Sequence, residues 1–509
     1  MADNSSNNKR IAKNTLMLYV RMFLMMAVTL YTSRVVLQQL GIEDFGVYNV
    51  VGGAVALLGF LNASMSGATS RFLTYDIGKG DYCHLQLTFS SAMQIHLMIA
   101  LAVLIFGEIV GIWFVNSCLD MPEGRVFAAN VVFQFALLSS TVSIAQVPYS
   151  ATLIAFERID LYAWIEILNV FLKLGIVYVL SIIPFDKLES YSILIFIVSV
   201  VVLSVYVLCC KSKFSVCKLS KQFHKDIMLP MLFFSGWDLY GNGCVVLRQQ
   251  GTNILLNQFF GVAINAASGV ATQVSSAVSM FVSNITMAIR PQIIKQYAAG
   301  NIDVMQKLVS VAIIICVLLT EFVMVPIYLN IETIMNLWLV EVPSYAVDFS
   351  KALLIANSVN VLISVWNIVV HASGRIRILS IVSGSLYLVS LLFIYVALKL
   401  GANPNWAYYI WIVIVTIALL SSIIIAKSNI RSLSLRKILK GCLLPVLSSI
   451  LSIVVVYMIS LFFENSISKI FVIVAINMII LIVMLFAVWL LPCFGGNLKK
   501  AYNSYLNEN

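Results

Sequence analysis

Residues 191–210 read YSILIFIVSVVVLSVYVLCC, and residues 211–226 continue as KSKFSVCKLSKQFHKD. The first stretch has no charged residue, and its length matches the roughly 20 apolar residues that a helix needs to cross a bilayer. The second stretch contains five lysines. An apolar run that ends in a basic loop is typical of a transmembrane helix that emerges from a membrane.

The whole chain has the same character. It has 509 residues, of which 61% are hydrophobic and 11% are charged, and its mean hydropathy is +0.98. Soluble domains contain about a quarter charged residues, so this composition predicts an all-α polytopic membrane protein. About fourteen transmembrane helices fit the apolar runs. We place them near 15–37, 45–69, 86–116, 126–154, 161–183, 191–210, 228–256, 261–289, 305–329, 346–371, 377–399, 405–426, 442–463 and 469–491.

The basic residues predict the orientation. With a cytoplasmic N-terminus, most of the 32 Lys and Arg residues fall in cytoplasmic loops, as expected for short loops. Both termini are then cytoplasmic, and the net charge of +10 reflects topology rather than a nucleic-acid surface. The four histidines lack metal-ligand spacing, so we predict neither a metal nor a cofactor.

A weak internal repeat divides the chain at the basic loop. The stretch from Gly46, GVYNVVGGAVALLGF, resembles the stretch from Gly261, GVAINAASGVATQVS, and Gly78 has a counterpart in Gly300. Two copies with the same orientation are typical of some transporters. The predicted organisation is an N-terminal six-helix bundle, a basic cytoplasmic linker, a C-terminal six-helix bundle, two additional helices and a cytoplasmic tail, at 1–210, 211–227, 228–440, 441–491 and 492–509.

A stripe of hydroxyl side chains runs along span 8. Its members recur every three or four residues, which puts them on one face of a helix. One interpretation is the wall of a water-accessible cavity, and the other is close helix packing, for which small residues are suited. The candidate cavity-wall residues are Asn49, Asn265, Ser275, Ser279 and Ser283.

Several ionisable residues fall within the spans, where they are costly and usually have a function. Arg21 and Arg248 lie on the first span of each half, and arginine is well suited to bidentate capture of phosphate oxygens. Arg34 lies at the far end of span 1, where it is also placed to extend to the interface. Asp238, Glu321, Glu166 and Lys173 are candidates for ion coupling, and Glu166 with Lys173 could instead form a structural pair.

The stretches TSRVVLQQLGIEDFGVYNVVGGAV at 32–55 and ATSRFLTYDIGKGD at 68–81 resemble the first two spans of the bacterial polysaccharide flippase family. The Leu-Gly-x-x-x-Phe-Gly-x-Tyr pattern carries the resemblance. That family belongs to the multidrug/oligosaccharidyl-lipid/polysaccharide (MOP) exporter superfamily, which is MATE-like. The resemblance implies a V-shaped pair of six-helix bundles plus two C-terminal helices.

The resemblance also implies a function and a site. Its members move undecaprenyl-pyrophosphate-linked repeat units from the cytoplasmic to the periplasmic leaflet of the bacterial inner membrane, for O-antigen, capsule or exopolysaccharide assembly. Other expected partners are a polysaccharide polymerase and a chain-length regulator, with H⁺ or Na⁺ as coupling ions. By position, the cationic cavity would contain Arg21, Arg34 and Arg248, with Arg71 and Arg290 at its cytoplasmic rim.

Two alternatives of the same superfamily stay open, a cation-coupled multidrug exporter and a lipid II flippase. A drug exporter predicts an acidic cavity, which Asp238 and Glu321 would allow but the arginines and two extra spans oppose. The sequence disfavours a membrane glycosyltransferase or polymerase, because the longest outer loop, at 330–345, is too short to fold alone and the sequence has no Asp-x-Asp metal pair, His cluster or nucleotide-binding glycine loop.

Overall fold

The computed structural model describes residues 2–56, 59–117, 124–220, 222–339, 342–460 and 467–490. Within these ranges the chain is α-helical and has no β-strand. The helices are α1 Ala2–Ala56, α2 Gly59–Lys79, α3 Tyr82–Ser117, α4 Val126–Ala155, α5 Ile159–Leu180, α6 Lys187–Lys213, α7 Lys225–Phe260, α8 Val262–Ala298, α9 Ile302–Trp338, α10 Ala346–Ser373, α11 Arg377–Lys399, α12 Trp406–Asn429, α13 Leu435–Ser460 and α14 Ile467–Leu490.

The helices match the predicted spans, with one difference at the start of the chain. The gap predicted between the first two spans contains Gly41, whose φ of 80° and ψ of 172° are not helical. Helix α1 therefore includes the first span and the beginning of the second, and α2 forms the rest of the second. Helices α3 and α6–α9 extend several residues beyond the predicted ends, because polar residues continue the helix outside the apolar segment. Helices α4, α10–α12 and α14 agree with their predicted spans to within three residues.

Among the described residues, eight helices, α3–α6 and α9–α12, are long and apolar enough to cross a membrane. Shorter apolar segments occupy Leu16–Thr29 in α1 and Phe471–Ile480 in α14. Helices α2, α7 and α8 are not among these; they carry many of the glycines and hydroxyl residues of the chain. The protein is a multi-pass membrane protein of the all-α class, as the sequence predicts.

The chain divides into two compact units, one of which runs from Ala12 to Leu239. The other contains Tyr240–Asn509 together with the first eleven residues. Each unit has its own apolar core, built around residues such as Phe89 and Tyr206 in the first and Phe349 and Trp411 in the second.

The two units repeat one packing pattern. In the first unit α2 packs against α3 and α4, and α6 packs against α4 and α5. In the second unit α8 packs against α9 and α10, and α12 packs against α10 and α11. Helices α2–α6 and α8–α12 thus share this packing pattern, and the division into two six-helix bundles stays a prediction.

The backbone repeats as well, and it corrects the register of the sequence repeat. Residues with positive φ occur in matching turns, and the pairs are Gly41 with Gly261, Gly80 with Gly300, Gly124 with Tyr345, and Glu157 with Gly374. Gly41 and Gly261 share nearly the same conformation, since Gly261 has φ 81° and ψ −175°. The partner of Gly261 is therefore Gly41 rather than Gly46, and that of Gly300 is Gly80 rather than Gly78. The sequence alone could not show this register, because only the backbone angles distinguish neighbouring glycines.

Arg125 joins three helices of the first unit at the end where α4 begins. Its guanidinium lies 2.5 Å from a carboxylate oxygen of Asp44 on α1 and 2.5 Å from one of Asp186. Asp186 is the N-cap of α6 and also accepts hydrogen bonds from the backbone N–H groups of Leu188 and Glu189. One arginine therefore fixes the bend after Gly41 to the beginnings of α4 and α6.

The connection between α6 and α7 is held on α3. Gln94 donates to the carbonyl oxygens of Ser220 and Gln222, at 2.9 and 3.1 Å, and Ser90 accepts from the backbone N–H of Ser220 at 2.8 Å. The basic linker predicted at 211–227 is shorter as a connection, because α6 continues to Lys213 and α7 begins at Lys225.

Helix α13 lies alongside α9 and runs in the same direction. Lys437 forms an ion pair with Asp303 at 3.0 Å, and the Cys442 thiol contacts the Ser310 carbonyl at 3.6 Å. Farther along, Val456 packs with Val325. Contacts therefore recur along both helices at a nearly constant spacing in sequence, and α14 completes the group by packing on α9 and α13.

Candidate functional site

Arg21 lies in a polar cluster inside the first unit. Its guanidinium carbon is 5.1 Å from the centroid of the Tyr162 ring on α5. The Arg21 Nε atom is buried and has no hydrogen-bond acceptor in the part of the chain that the structure describes. The arginine is thus held against an aromatic face, and its Nε–H group can still donate a hydrogen bond.

Glu166 lies one helical turn beyond Tyr162, and its carboxylate accepts a 2.7 Å hydrogen bond from the Tyr206 hydroxyl on α6. Tyr206 is fully buried. Lys173 interacts electrostatically with Glu166, but these two described side chains form no ion pair. The structure therefore gives Glu166 a tyrosine partner instead of the Lys173 pair considered from the sequence. Arg21, Tyr162, Glu166 and Tyr206 interact as one group.

Arg248 has more apolar surroundings in the second unit. Its guanidinium carbon lies 3.7 Å from the centroid of the Trp411 ring, and the residue is 8% exposed. Tyr387, which packs edge-on against Trp411 at 5.2 Å, and Tyr408 also interact electrostatically with this guanidinium. The Arg248 Nε atom is buried without an acceptor, and no described carboxylate pairs with Arg248.

The two arginines occupy similar but not equivalent positions. Both lie on the first helix of their unit and contact aromatic side chains of its fifth or sixth helix. Arg21 is 20 residues before Gly41, whereas Arg248 is 13 residues before Gly261. At 1.5 Å per residue, Arg248 is about 10 Å closer to its glycine.

Arg71 and Arg290, the second pair, lie on α2 and α8. Arg71 is 7% exposed, and its guanidinium is 4.7 Å from both the Phe72 and the Tyr75 ring centroids. Arg290 lies 3.0 Å from Nδ1 of His371 on α10. Both side chains are therefore held by contacts within their own unit.

The hydroxyl stripe of α8 takes part in helix packing. Ser279 donates to the Asn357 side chain on α10 at 2.9 Å, and Asn357 donates in turn to the Ser275 carbonyl at 3.0 Å. Ser283 is exposed and its hydroxyl bonds to the Met280 carbonyl of its own helix. Asn265 is partly exposed. These contacts match the packing interpretation, and a role of the stripe as a cavity wall stays a prediction.

The remaining predicted residues are dispersed. Glu321 is buried on α9 against α13 and α14, away from Arg248 in sequence and in its contacts. Asp238 on α7 is half-buried and has interactions of its own. The side chains of Arg34 and Asn49 lie outside the described residues.

The sequence interpretation missed the aromatic residues around the arginines. Tyr162, Tyr387, Tyr408 and Trp411 lie in apolar runs, where an aromatic residue carries no signal of its own. Tyr162 and Glu166 are four residues apart and so share a helix face, which was a usable hint. The other three contacts join residues more than a hundred positions from Arg248, and only the tertiary structure brings them together.

Solved structures provide the comparison. A MATE in the straight conformation matches with a TM-score of 0.71 at 13% identity, over 84% of this chain and 96% of that chain. The chain has the fold of the MATE transporters. An outward-facing multidrug resistance MATE transporter of the MOP superfamily matches with a TM-score of 0.71 at 11% identity, over 84% of this chain and 96% of its own.

A MOP superfamily transporter from Pyrococcus furiosus, described as having a binding pocket of reverse polarity that suggests a different function, also shares the MATE fold. Its TM-score is 0.70 at 12% identity, over 84% of this chain and 96% of that chain. No protein-family model and no curated protein matches. The predicted MATE-like fold is therefore confirmed, and membership of the polysaccharide flippase family stays a prediction.

Proposed function

We propose that this protein is a membrane exporter that moves an undecaprenyl-pyrophosphate-linked oligosaccharide from the cytoplasmic to the periplasmic leaflet. The observation that carries the proposal is Arg248, a buried arginine over Trp411 with an Nε donor that has no acceptor. An arginine within a membrane-spanning helix usually marks a ligand or ion pathway.

The chemistry of the headgroup fits such an arginine. A pyrophosphate presents several anionic oxygens, and a guanidinium binds them with parallel, charge-assisted hydrogen bonds. Binding would neutralise a charge that no described carboxylate neutralises in the second unit. Arg21 offers a second guanidinium in the first unit, again with a free Nε donor.

The two helices beyond the repeat add support. The MATE structures cover 84% of this chain and nearly all of their own length. This chain continues after α12 with two further helices, α13 and α14. Two additional helices are what the resemblance to polysaccharide flippases implies.

Transport would proceed by alternating access, in which the protein exposes the headgroup site first to one leaflet and then to the other. The polyprenyl tail can stay in the hydrocarbon, because it is apolar. Net movement requires an ion gradient or consumption of the product, since a ligand shifts a conformational equilibrium only through its differential affinity. Arg34, Arg71 and Arg290 would contribute further positive charge, with Asn265, Ser275 and Ser283 near the path.

The same proposal sets the location. The protein would lie in the bacterial cytoplasmic membrane with both termini in the cytoplasm, in keeping with its basic loops. A polysaccharide polymerase and a chain-length regulator would act on the delivered repeat unit. A cysteine introduced at an exposed position of the linker between α6 and α7 should react with a membrane-impermeant label from the cytoplasmic side only. Labelling of this cysteine from outside would contradict the orientation.

A multidrug exporter is the second candidate. It is favoured by the fold shared with a multidrug resistance MATE transporter and by Glu166 within the Arg21 cluster, which could bind a cation or a proton. Its substrates would be organic cations, for which the environment of Arg248 is unsuited.

One experiment separates these functions. A deletion strain is assayed for surface polysaccharide, for undecaprenyl-linked repeat units in each leaflet, and for sensitivity to cationic drugs. Loss of polymer with repeat units accumulating in the cytoplasmic leaflet is the expected result. Normal polysaccharide with increased drug sensitivity would support the drug exporter, and a defect in lipid II export would support the peptidoglycan flippase.

A further inference from the structure

A buried carboxyl group joins the two C-terminal helices to the second unit. Glu321, 6% exposed, lies in the middle of α9. The hydroxyl of Ser449 contacts its Oε2 atom and that of Ser452 its Oε1 atom, and both serines are on α13. From α14, the Asn477 amide donates to the backbone carbonyls of Glu321 and Phe322, at 3.3 and 3.4 Å.

No positive charge balances this carboxyl among the described side chains. On the three helices of the group, the nearest lysines in the sequence lie 14 residues before Glu321, 9 before Ser449 and 8 before Asn477. At 1.5 Å per residue these are about 21, 14 and 12 Å away along the helices. The other described titratable or charged side chains of α9, α13 and the helices packed on α9 are Arg290, Lys295, Tyr297, Asp303, Cys316, Tyr328, Glu332, Asp348, Lys351, His371, Arg436, Lys437, Cys442 and Tyr457. Among the described side chains, the Glu321 carboxyl contacts Ser449 and Ser452 instead of any of these.

Counting hydrogen atoms indicates which form of the carboxyl fits. The Ser449 hydroxyl donates to Oε2. The Ser452 hydroxyl has one hydrogen, and its oxygen also lies 2.7 Å from the Ser449 carbonyl oxygen, which can only accept. If Ser452 donates to that carbonyl, its contact with Oε1 needs a hydrogen from the carboxyl. A protonated Glu321 supplies it, and every group then has a partner.

We propose that Glu321, Ser449 and Ser452 form a proton-binding site whose occupancy holds α13 and α14 against α9. With the proton bound, the carboxyl is neutral and donates to Ser452 while it accepts from Ser449. Without it, a carboxylate remains at mid-membrane with no counter-charge, which is costly, and separation of α13 from α9 lets water or lipid headgroups reach it. This inference does not depend on the transported substrate.

The chain contains its own reporter of this separation. Cys442 is 5% exposed, lies on α13, and contacts the Ser310 carbonyl of α9. Its alkylation by a small maleimide requires the two helices to part. Cys83, which is exposed on α3, reports the ordinary effect of pH on thiol reactivity.

The test compares the full-length wild type with Glu321→Gln in detergent, from neutral to alkaline pH, with mass spectrometry to resolve each cysteine. A carboxamide reproduces the protonated acid, since its N–H donates to Ser452 and its oxygen accepts from Ser449. We expect Cys442 alkylation, relative to Cys83, to rise at least about tenfold with pH in the wild type, since a bare carboxylate at this depth is unstable. Glu321→Gln should show no such rise, and Glu332→Gln, an exposed carboxyl on the same helix, should behave as the wild type.

Infrared spectroscopy tests the proton directly. A carbonyl band of a protonated carboxylic acid is expected at neutral pH, lost in Glu321→Gln and kept in Glu332→Gln. Absence of that band from the wild type would overturn the proposal, as would a Glu321→Gln protein whose Cys442 is already reactive at neutral pH. Protection of Cys442 by sodium ions, lost in Glu321→Gln, would also overturn it and assign a sodium site instead.

Discussion

Arg21 and Arg248 show how much the surroundings of one residue type can differ within a repeat. Arg21 shares its cluster with Glu166, which accepts from Tyr206, whereas Arg248 has aromatic neighbours and no described carboxylate. The sequence could identify both residues, because a charge within an apolar run is conspicuous. It could not tell their environments apart, since those depend on α5, α6, α11 and α12.

Replacement of Arg248 should reduce export without loss of protein. We expect Arg248→Ala to lower surface polysaccharide by about tenfold to a hundredfold, the effect of losing hydrogen bonds to a charged group worth about 1.5–3 kcal/mol. Arg248→Lys should recover only part, because an ammonium group cannot bind bidentately. Polysaccharide per cell and membrane abundance are the measurements, and Arg375→Ala at an exposed turn is the control. Full polysaccharide in Arg248→Ala would exclude this residue from the mechanism.

The Arg125 group makes the first unit sensitive to acid. Burial raises the pKa of Asp186. The hydrogen bonds from Arg125 and from the backbone of Glu189 and Leu188 lower it by more than burial raises it, so the pKa is below its ordinary value. A lowered folded-state pKa stabilises the fold above the unfolded value of about 3.9 and loses that contribution as the pH falls through the folded value.

Asp186→Asn should test this, since the amide keeps the N-cap acceptor and removes the charge. We expect the variant to unfold at a lower temperature than the wild type near neutral pH, and the difference to shrink as the pH falls below about 4. Thermal unfolding in detergent is the measurement. Asp303→Asn, whose side chain is 76% exposed, should leave the curve unchanged. A constant difference at all pH values would refute the assignment.

At the scale of the elements, glycine sets where each unit begins its first hairpin. Gly41 and Gly261 have a backbone conformation that is essentially restricted to glycine. Their helices were predictable from apolar length alone, because a run of about 20 apolar residues has few alternatives. The backbone conformation between the first two spans was not predictable, since Gly41 is followed within a few residues by Gly46 and the sequence does not show which of them has positive φ.

Gly261→Ala should destabilise the protein, and Gly269→Ala should not. At Gly261 the added methyl group meets open space, so the cost comes from the backbone conformation and should be about 1–3 kcal/mol. Gly269 lies within α8 with open space around it and no positive φ, and alanine there should stabilise by about 0.5–1 kcal/mol. Thermal unfolding of both variants checks the pair. Equal effects would mean that Gly261 does not need its special conformation.

At the scale of the whole molecule, the second unit differs from the first by α13 and α14. The sequence located these two helices but placed Glu321 among candidates for ion coupling. It could not show that the carboxyl faces α13, because the serines that contact it lie more than 120 residues later and serine is common in membrane helices.

Removal of α13 and α14 should therefore lower the membrane abundance of the protein, chiefly because it exposes Glu321. A chain that ends after Asn429 would expose this carboxyl to lipid, and we expect its membrane abundance to fall severalfold. Adding Glu321→Leu to the shortened chain should restore much of it, since the polar group is gone. Glu332→Leu in the shortened chain is the control and should restore nothing. Immunoblots of membrane fractions provide the measurement, and equal abundance with and without Glu321→Leu would contradict the expectation.

The pairing of α9 with α13 also has a consequence in time. Ser449 follows Glu321 by 128 residues, and ribosomes add about 5–20 residues per second. Glu321 is therefore made roughly 6–26 seconds before the first side chain that will contact its carboxyl. During that interval α9 must either wait beside the insertion machinery or enter the bilayer with its carboxyl protonated. The order in which the helices are synthesised thus leaves the Glu321 carboxyl without its serine partners during membrane insertion until α13 has been made.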